Sequence, residues 1–465
     1  MYNSKLEEFK KYIKGRKVAF IGIGVSNIPA IKYINRLGAK VTAFDKRNPT
    51  DLGDICIELE SLGVGLSLGD DYLESLDGFE VIFRSPSVRP DLPEIEKQLD
   101  KGAVLTSEIE MVMEMCPGKI IGITGSGGKT TTTTLIGEML NKQELEYYVG
   151  GNIGIPLFDK IEDMNENTIV VLELSSFQLM TMTKSPNISV ITSLSPDHLD
   201  VHKDLDEYYD SKKNIFRFQE KDDILILNYD NDLVRKLKVE AKGIVKFFSG
   251  KEKLSEGIIL DDNKIKIAEN KIRKHILNTD DIKIIGRYNL LNLCAAIQAV
   301  EGIVSIENIQ KVANEFSGVE HRMQIVKEEN GIRYINNSIA SSPIKAITSM
   351  QDFDEKLILL VGGYDRNLDL DEFAKAIIEK GKILILFGQT KTKVKEALNR
   401  VIDEMTFPID IKIIDSLNFE DAVKKAKLNA KSGDTVLLSP GFASFDEFKD
   451  YKERGNKFLE IINKE

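Results

Sequence analysis

Short runs of consecutive apolar residues recur along the chain, and between them apolar positions fall three and four residues apart. The runs include Lys17-Val-Ala-Phe-Ile-Gly-Ile23, Ile169-Val-Val-Leu-Glu-Leu174, Ile188-Ser-Val-Ile-Thr192, Leu357-Ile-Leu-Leu-Val361, Ile383-Leu-Ile-Leu-Phe387 and Thr435-Val-Leu-Leu-Ser439. Continuous apolar runs of this length read as buried strands, and the wider spacing reads as amphipathic helix. Strands that alternate with helices predict parallel α/β sheets. The alternation restarts three times, which predicts three α/β domains over residues 1–107, 108–317 and 318–465. In the first, a helix is expected over 27–37, followed by the strand Val41-Thr-Ala-Phe-Asp45. Between about 222 and 283 the runs are shorter, which predicts a small sheet inside the middle domain. The last helix is expected to carry Phe445, Phe448, Tyr451 and Phe458 on one apolar face.

Composition adds limits rather than identity. Of 465 residues, 42% are hydrophobic and 29% charged, which is ordinary for a soluble globular protein. The formal net charge of −11 argues against nonspecific binding to nucleic acid or anionic membrane. Any anionic ligand must therefore be met by local cations. Cys56, Cys116 and Cys294 are too scattered for a metal or redox spacing and read as reduced core residues of a cytoplasmic protein. No apolar run reaches membrane length, and residues 2–17 read as a charged helix rather than a leader.

The most informative stretch is Ile120-Ile-Gly-Ile-Thr-Gly-Ser-Gly-Gly-Lys-Thr130, a strand running into a glycine-rich turn and a hydroxyl-rich helix start. Glycines let backbone N–H groups converge on phosphate oxygens, and the helix N-terminus adds partial positive charge there. Gly125, Ser126, Gly127, Gly128, Lys129, Thr130 and Thr131 are thus expected around ATP. Lys129 reaches the β/γ-phosphates and the Thr130 hydroxyl meets Mg²⁺. This predicts an ATP-cleaving central domain. Earlier in the chain, Gly22-Ile-Gly24 follows a strand, and Asp45 stands about twenty residues on. That motif leaves open an NAD site and a Rossmann-like site for another nucleotide. Beside an ATP-cleaving loop, a nucleotide-tagged substrate is the better fit.

Six further segments fall into register behind the phosphate loop: Gly150-Gly-Asn-Ile-Gly154, Glu173-Leu-Ser-Ser-Phe-Gln178, Ser195-Pro-Asp-His-Leu-Asp-Val-His202, Gly286-Arg-Tyr-Asn-Leu-Leu-Asn292, Glu320-His-Arg-Met323 and Ser439-Pro-Gly-Phe-Ala-Ser-Phe-Asp446. In this order they resemble the Mur ligase family of peptidoglycan synthesis, over essentially the whole chain. The resemblance implies a Rossmann-like N-terminal domain for a uridine-nucleotide substrate, a central ATPase domain and a Rossmann-like C-terminal domain for an incoming amino acid. Its implied reaction adds D-glutamate to UDP-N-acetylmuramoyl-L-alanine with ATP, through an acyl phosphate, in a cytoplasmic monomer.

The resemblance also distributes roles. Lys129, His198, Lys212 and Arg322 become the catalytic set, and Thr130, Glu173, His198 and Lys212 the ligands of Mg²⁺, two ions in all. Lys212 rather than Lys213 is expected to be carbamylated. Asn289, Asn292, Arg322 and Asn337 join the ATP site. Ser26, Asn27, Asp45, Arg47 and Ser87 map to the uridine diphosphate, Asn152 and Ser175 to the muramoyl side, and Arg366, Ser444, Phe445 and Tyr451 to the amino acid. Without the resemblance these residues have simpler readings. Glu173 has the alternative of a helix N-cap or loop salt-bridge partner, His198 of a hydrogen-bonded loop histidine, Lys212 of a solvated surface lysine and Asn289 of a helix cap. His202 has no mapped role and reads as structural. The chain departs from the family pattern at Ser87, Gly127, Asn337, Ile339 and Arg366, where glycine, asparagine, an acidic residue, lysine and lysine are usual.

Overall fold

The computed structural model describes residues 3–195, 202–270, 272–284, 286–365, 368–404 and 411–464. Its strands form three sheets, each rich in parallel pairs and flanked by helices, so the fold is α/β as the pattern predicts. Two compact units divide the chain. One spans Met1–Thr279 and Leu291–Val312, the other Asp280–Leu290 and Ala313–Glu465.

The first unit holds two sheets. The first sheet is built from β1 (Lys17–Ile21), β2 (Lys40–Asp45), β3 (Gly65–Leu68), β4 (Val81–Arg84) and β5 (Val104–Thr106) in the order β3-β2-β1-β4-β5. All its pairs are parallel. The chain first builds outward from β1 on one side, then restarts with β4 on the other. That reversal opens a crevice at the carboxyl ends of β1 and β4. The helix expected over 27–37 runs Asn27–Arg36.

The central sheet takes β6 (Lys119–Thr124), β7 (Tyr147–Gly151), β8 (Ile169–Glu173), β9 (Ile188–Ile191), β10 (Ile224–Asn228), β11 (Ile244–Ser249), β12 (Gly257–Asp261), β13 (Lys264–Glu269) and β14 (Ile272–Asn278). Their order is β14-β13-β12-β11-β10-β9-β6-β8-β7. The residues after 222 do not make a separate small sheet. β10 pairs parallel with β9, and the rest extend the same sheet to a β12-β13-β14 antiparallel end. Short runs there reflect strands with one wet face. The outermost strand exposes Ile272, Arg273, Lys274 and His275, whereas β8 is buried throughout.

Side-chain caps fix where helices begin. Asn3 accepts from Leu6 N, Ser107 from Glu110 N and Asp204 from Glu207 N, each meeting a first-turn N–H that has no helical partner. The two sheets of this unit share a core that contains Phe9, Phe20, Tyr33, Phe83 and Phe158. Phe158 lies 5.5 Å from Tyr33 and 6.4 Å from both Phe9 and Phe83, edge-on to each. The cysteines are free and buried, as expected.

The second unit carries β15 (Gln324–Glu329), β16 (Ile332–Asn336), β17 (Leu357–Gly362), β18 (Gly381–Phe387), β19 (Lys412–Asp415) and β20 (Thr435–Leu438), ordered β15-β16-β20-β17-β18-β19. Only β15 runs antiparallel to its neighbour. The final helix starts at Tyr451, capped by Asp450. Phe445 and Phe448 therefore precede it instead of sharing its face with Phe458. Phe448 packs on Phe419 and Phe445 is exposed.

Replacing Phe158 with alanine removes a ring that three others meet and should cost about 3–5 kcal/mol of stability. A denaturant titration reads this directly. A shift below about 1 kcal/mol would show that the two sheets do not depend on this contact.

Candidate active site

The phosphate-loop sequence forms the turn between β6 and the helix Lys129–Lys142. Gly128 caps the helix in the left-handed region, φ 85°. At Gly125, φ 153°, a Cβ would sit 2.0 Å from the Thr192 hydroxyl, so no other residue fits. The segment after β9 holds the turn from outside. Ser126 N donates to Ser193 O at 2.8 Å, Gly127 N to Ser193 Oγ at 3.0 Å, and Thr192 Oγ1 to Gly127 O at 2.5 Å. Lys129 Nζ donates to Gly125 O across the loop at 2.8 Å. Thr130 and Thr131 lie in the first helical turn, Thr131 buried.

Three groups converge on this loop. Glu173 ends β8 level with Ile123 of β6 and is 2% exposed. Its Oε1 accepts from Asn152 Nδ2 at 2.8 Å, while Oε2 is buried with no hydrogen-bond partner. A buried, unspent carboxylate oxygen beside a phosphate loop is the donor that Mg²⁺ takes. Lys212 projects from the helix Leu205–Arg217 and is 2% exposed. Its Nζ lies 3.3 Å from Gly125 O, 3.4 Å from Thr124 Oγ1 and over the Tyr208 ring. Lys213 points away and pairs with Glu240 at the surface. Tyr208 itself is fully buried, and its hydroxyl meets Ser126 Oγ at 2.9 Å. Ser175 caps the turn Ser176–Leu179 in a reciprocal pair with Gln178. His198 lies outside the described residues. Among those described, no three His, Cys, Asp or Glu side chains gather as a metal site.

His202 is buried, as its structural reading requires. It stacks on Phe177 and meets Ser176 Oγ at 2.9 Å, and burial lowers its pKa. Its Nδ1 lies 3.4 Å from Glu207. Glu207 also receives Arg89, which chelates Asp91, and Asp91 takes Lys203. These groups tie the loop after β4 to the helix that carries Lys212.

At the first sheet, Asp45 closes β2 and is spent within the protein. It accepts from Ile23 N at 2.7 Å and from Arg47 N, Nε and Nη2 at 2.8–2.9 Å. Burial pushes its carboxyl up, but Arg47 and the two backbone N–H groups outweigh it and hold the pKa below the usual range. Asn27 Nδ2 donates to Gly22 O, which closes the turn. Ser26 precedes the helix without capping it, and Ser87 Oγ meets Ser85 Oγ. Gly22 and Ser85 touch, since a Cβ on Gly22 would lie 2.6 Å from the serine Cβ.

In the second unit, Asn337 follows β16, accepts from Met323 N and lies 3.4 Å from Ser439 Oγ. Arg322 stands in the bridge Val319↔Arg322 with Nε buried and unpartnered. Ser444 is buried, and the Tyr451 carbonyl accepts from Ser338 Oγ. Asn289 and Asn292 sit in the first turns of the helix Arg287–Ala299. Arg366 lies outside the described residues.

Sequence reasoning passed over two buried arginines. Arg454 clamps Ser338 and the Phe442 carbonyl. Arg84 joins loops on both sheets of the first unit. The one signal for Arg84 was a cation closing the apolar run Val81-Ile-Phe-Arg84.

Two outcomes follow from this geometry. Lys212→Ala should cut Mg-ATP-dependent phosphate release by about 100-fold or more, whereas Lys213→Ala loses only an exposed pair and should stay within about twofold. Equal losses would sink that distinction. The Arg89 guanidinium, helped by the Lys203 N–H and opposed by burial, holds the Glu207 pKa at about 2. A depressed carboxylate adds stability that is full above its unfolded pKa and lost as pH falls toward its folded one. Glu207→Gln should therefore destabilise at pH 7, with the two denaturation midpoints converging between about pH 5 and pH 2. A gap constant with pH would refute this.

Residues 123–300 match the Mur ligase middle domain, and residues 321–442 match the Mur ligase glutamate ligase domain. A UDP-N-acetylmuramoylalanine--D-glutamate ligase of Clostridium botulinum (strain Kyoto) is 50% identical over 461 residues, 99% of each chain. The enzyme of that name from Acetivibrio thermocellus is 47% identical over 461 residues, again 99% of each. Among solved structures, UDP-N-acetylmuramate-alanine ligase of Thermotoga maritima covers 96% of this chain and 98% of its own, with TM-score 0.55 at 18% identity. A pseudomurein peptide ligase type C from Methanothermus fervidus covers 96% and 99%, with TM-score 0.54 at 19% identity. These structures share the fold. Sequence likeness extends from one end of the chain to the other, through all three sheets, and the chain belongs to the Mur ligase family.

Proposed function

We propose that this protein is the ATP-dependent amide ligase that adds D-glutamate to UDP-N-acetylmuramoyl-L-alanine, releasing ADP and phosphate. End-to-end identity of about half with enzymes of that name carries the reading. The grouping of phosphate loop, Glu173 and Lys212 at the carboxyl ends of β6 and β8 supports the chemistry.

A carboxylate is a poor electrophile at neutral pH. Here the substrate carboxylate takes the γ-phosphoryl group of ATP, and the D-glutamate amine then attacks the acyl carbon and displaces phosphate. Enzymatic work of this kind is positioning and neutralising charge. The loop N–H groups and Lys129 receive the phosphates. Arg322 brings a fixed cation suited to the transferring group. Thr130 and the unspent Glu173 oxygen would hold Mg²⁺, which supplies Lewis-acid stabilisation of phosphate oxygens. In this reading Lys212 and His198 complete the metal surroundings, with Lys212 carbamylated. The crevice between β1 and β4 takes the uridine diphosphate, and the loops after β16, β17 and β20 take the amino acid. Arg366 keeps the positive charge for the glutamate side chain and can hold it through two N–H groups.

The direct test is phosphate release from Mg-ATP with UDP-N-acetylmuramoyl-L-alanine, with and without D-glutamate. Release should require both substrates and yield a product heavier by one glutamyl unit. L-glutamate, glycine and D-aspartate should each fail to replace D-glutamate. No release despite measurable ATP binding would overturn the assignment.

A further inference from the structure

We propose that Arg84 is a positioning residue for the diphosphate of the uridine-nucleotide substrate, fixing the 85–88 loop against residues 177–181 and placing a buried positive charge beside the β1/β4 crevice. This rests on the first sheet being the uridine-nucleotide site.

Arg84 is the last residue of β4, on the strand that borders the crevice, where the reversal of strand order places ligands in such sheets. Its side chain is 1% exposed. Nη1 donates to Val88 O at 2.6 Å and reaches Ser85 O and Pro86 O at 3.3 Å. Nη2 donates to Phe177 O at 2.7 Å and to Thr181 Oγ1 at 3.2 Å. One guanidinium thus holds the loop that packs on Gly22 and the turn that follows Glu173. Lysine could not do this, since its ammonium is a point donor and not a planar fork.

All of these acceptors are neutral, and no carboxylate pairs with Arg84 among the described residues. Nε is buried and has no acceptor. Glu110, the acid whose charge acts on it, is engaged by Thr183 N and Oγ1. Burial lowers the Arg84 pKa only to about 10, so it is a cation at neutral pH. The other arginines at this edge are matched: Arg47 by Asp45, Arg89 by Asp91 and Glu207. A buried cation without an anion is costly, and an arriving diphosphate is the partner that offsets it.

The test compares UDP with uridine, which differ by the diphosphate alone, by calorimetric titration of wild type, Arg84→Met and Arg84→Lys. Arg84→Met should weaken UDP by about tenfold or more and uridine by less than about threefold, with binding of a non-hydrolysable Mg-ATP analogue unchanged. Arg84→Lys should recover part of the UDP loss. In turnover, the KM for the muramoyl substrate should rise while the KM for ATP holds. Equal loss of UDP and uridine, or no loss of either, overturns the proposal. Should Arg84→Met show no cooperative melt, Arg84→Gln and Arg84→Lys decide it by the same ratio. Failure of the wild type to bind UDP would instead defeat the underlying reading of the first sheet.

Discussion

Close approach of two backbone segments at Gly125 governs the catalytic edge. The Thr192 hydroxyl occupies the space where any side chain at 125 would stand. That contact lets the segment after β9 bond to the phosphate loop through Thr192 and Ser193. Once the loop is pinned, the elements behind it are set as well. Ser126 meets Tyr208, Tyr208 lies under the Lys212 ammonium, and Glu173 stands one strand over. Neighbouring strand ends thus hold these groups in place before any ligand is bound, the preorganisation that the proposed phosphate site calls for.

The protein carries a net charge of −11, yet the reaction proposed for it brings several anions together. Arg84 at the end of β4 and Arg454 in the last helix are buried cations. Both are at most 1% exposed and hold carbonyl and hydroxyl oxygens, which leave their charge intact. Surface charges are screened within about 8–10 Å at physiological salt, whereas buried ones act with less attenuation. The sign of the whole surface therefore says little about the sites.

Legibility in the sequence followed how local each feature is. The phosphate loop, the strand carrying Glu173 and the Asp45 strand end are contiguous patterns, and they stand where the patterns put them. The resemblance singled out Lys212 over Lys213, but their difference in burial is visible only in the fold, because it depends on which helix face meets β6. The strands after 222 looked like a separate sheet, since their pairing with β9 is long-range and leaves no periodic trace. Phe445 and Phe448 were misplaced because the Asp450 cap, not the apolar spacing, sets the helix start. Arg84 escaped notice because its partners lie at 177 and 181, far along the chain.

The far end of the central sheet has a consequence of another kind. Among the described residues, the nine-stranded sheet ends in β14, whose outer edge offers backbone groups to any neighbouring chain. β14 presents Arg273, Lys274 and His275 there, and a register shift in its pairing with β13 bends the ladder. Two like molecules meeting along this edge would bring Lys274 against Lys274 on backbones that do not run flat. The same short stretch that completes the sheet thereby disfavours edge-to-edge pairing on this side.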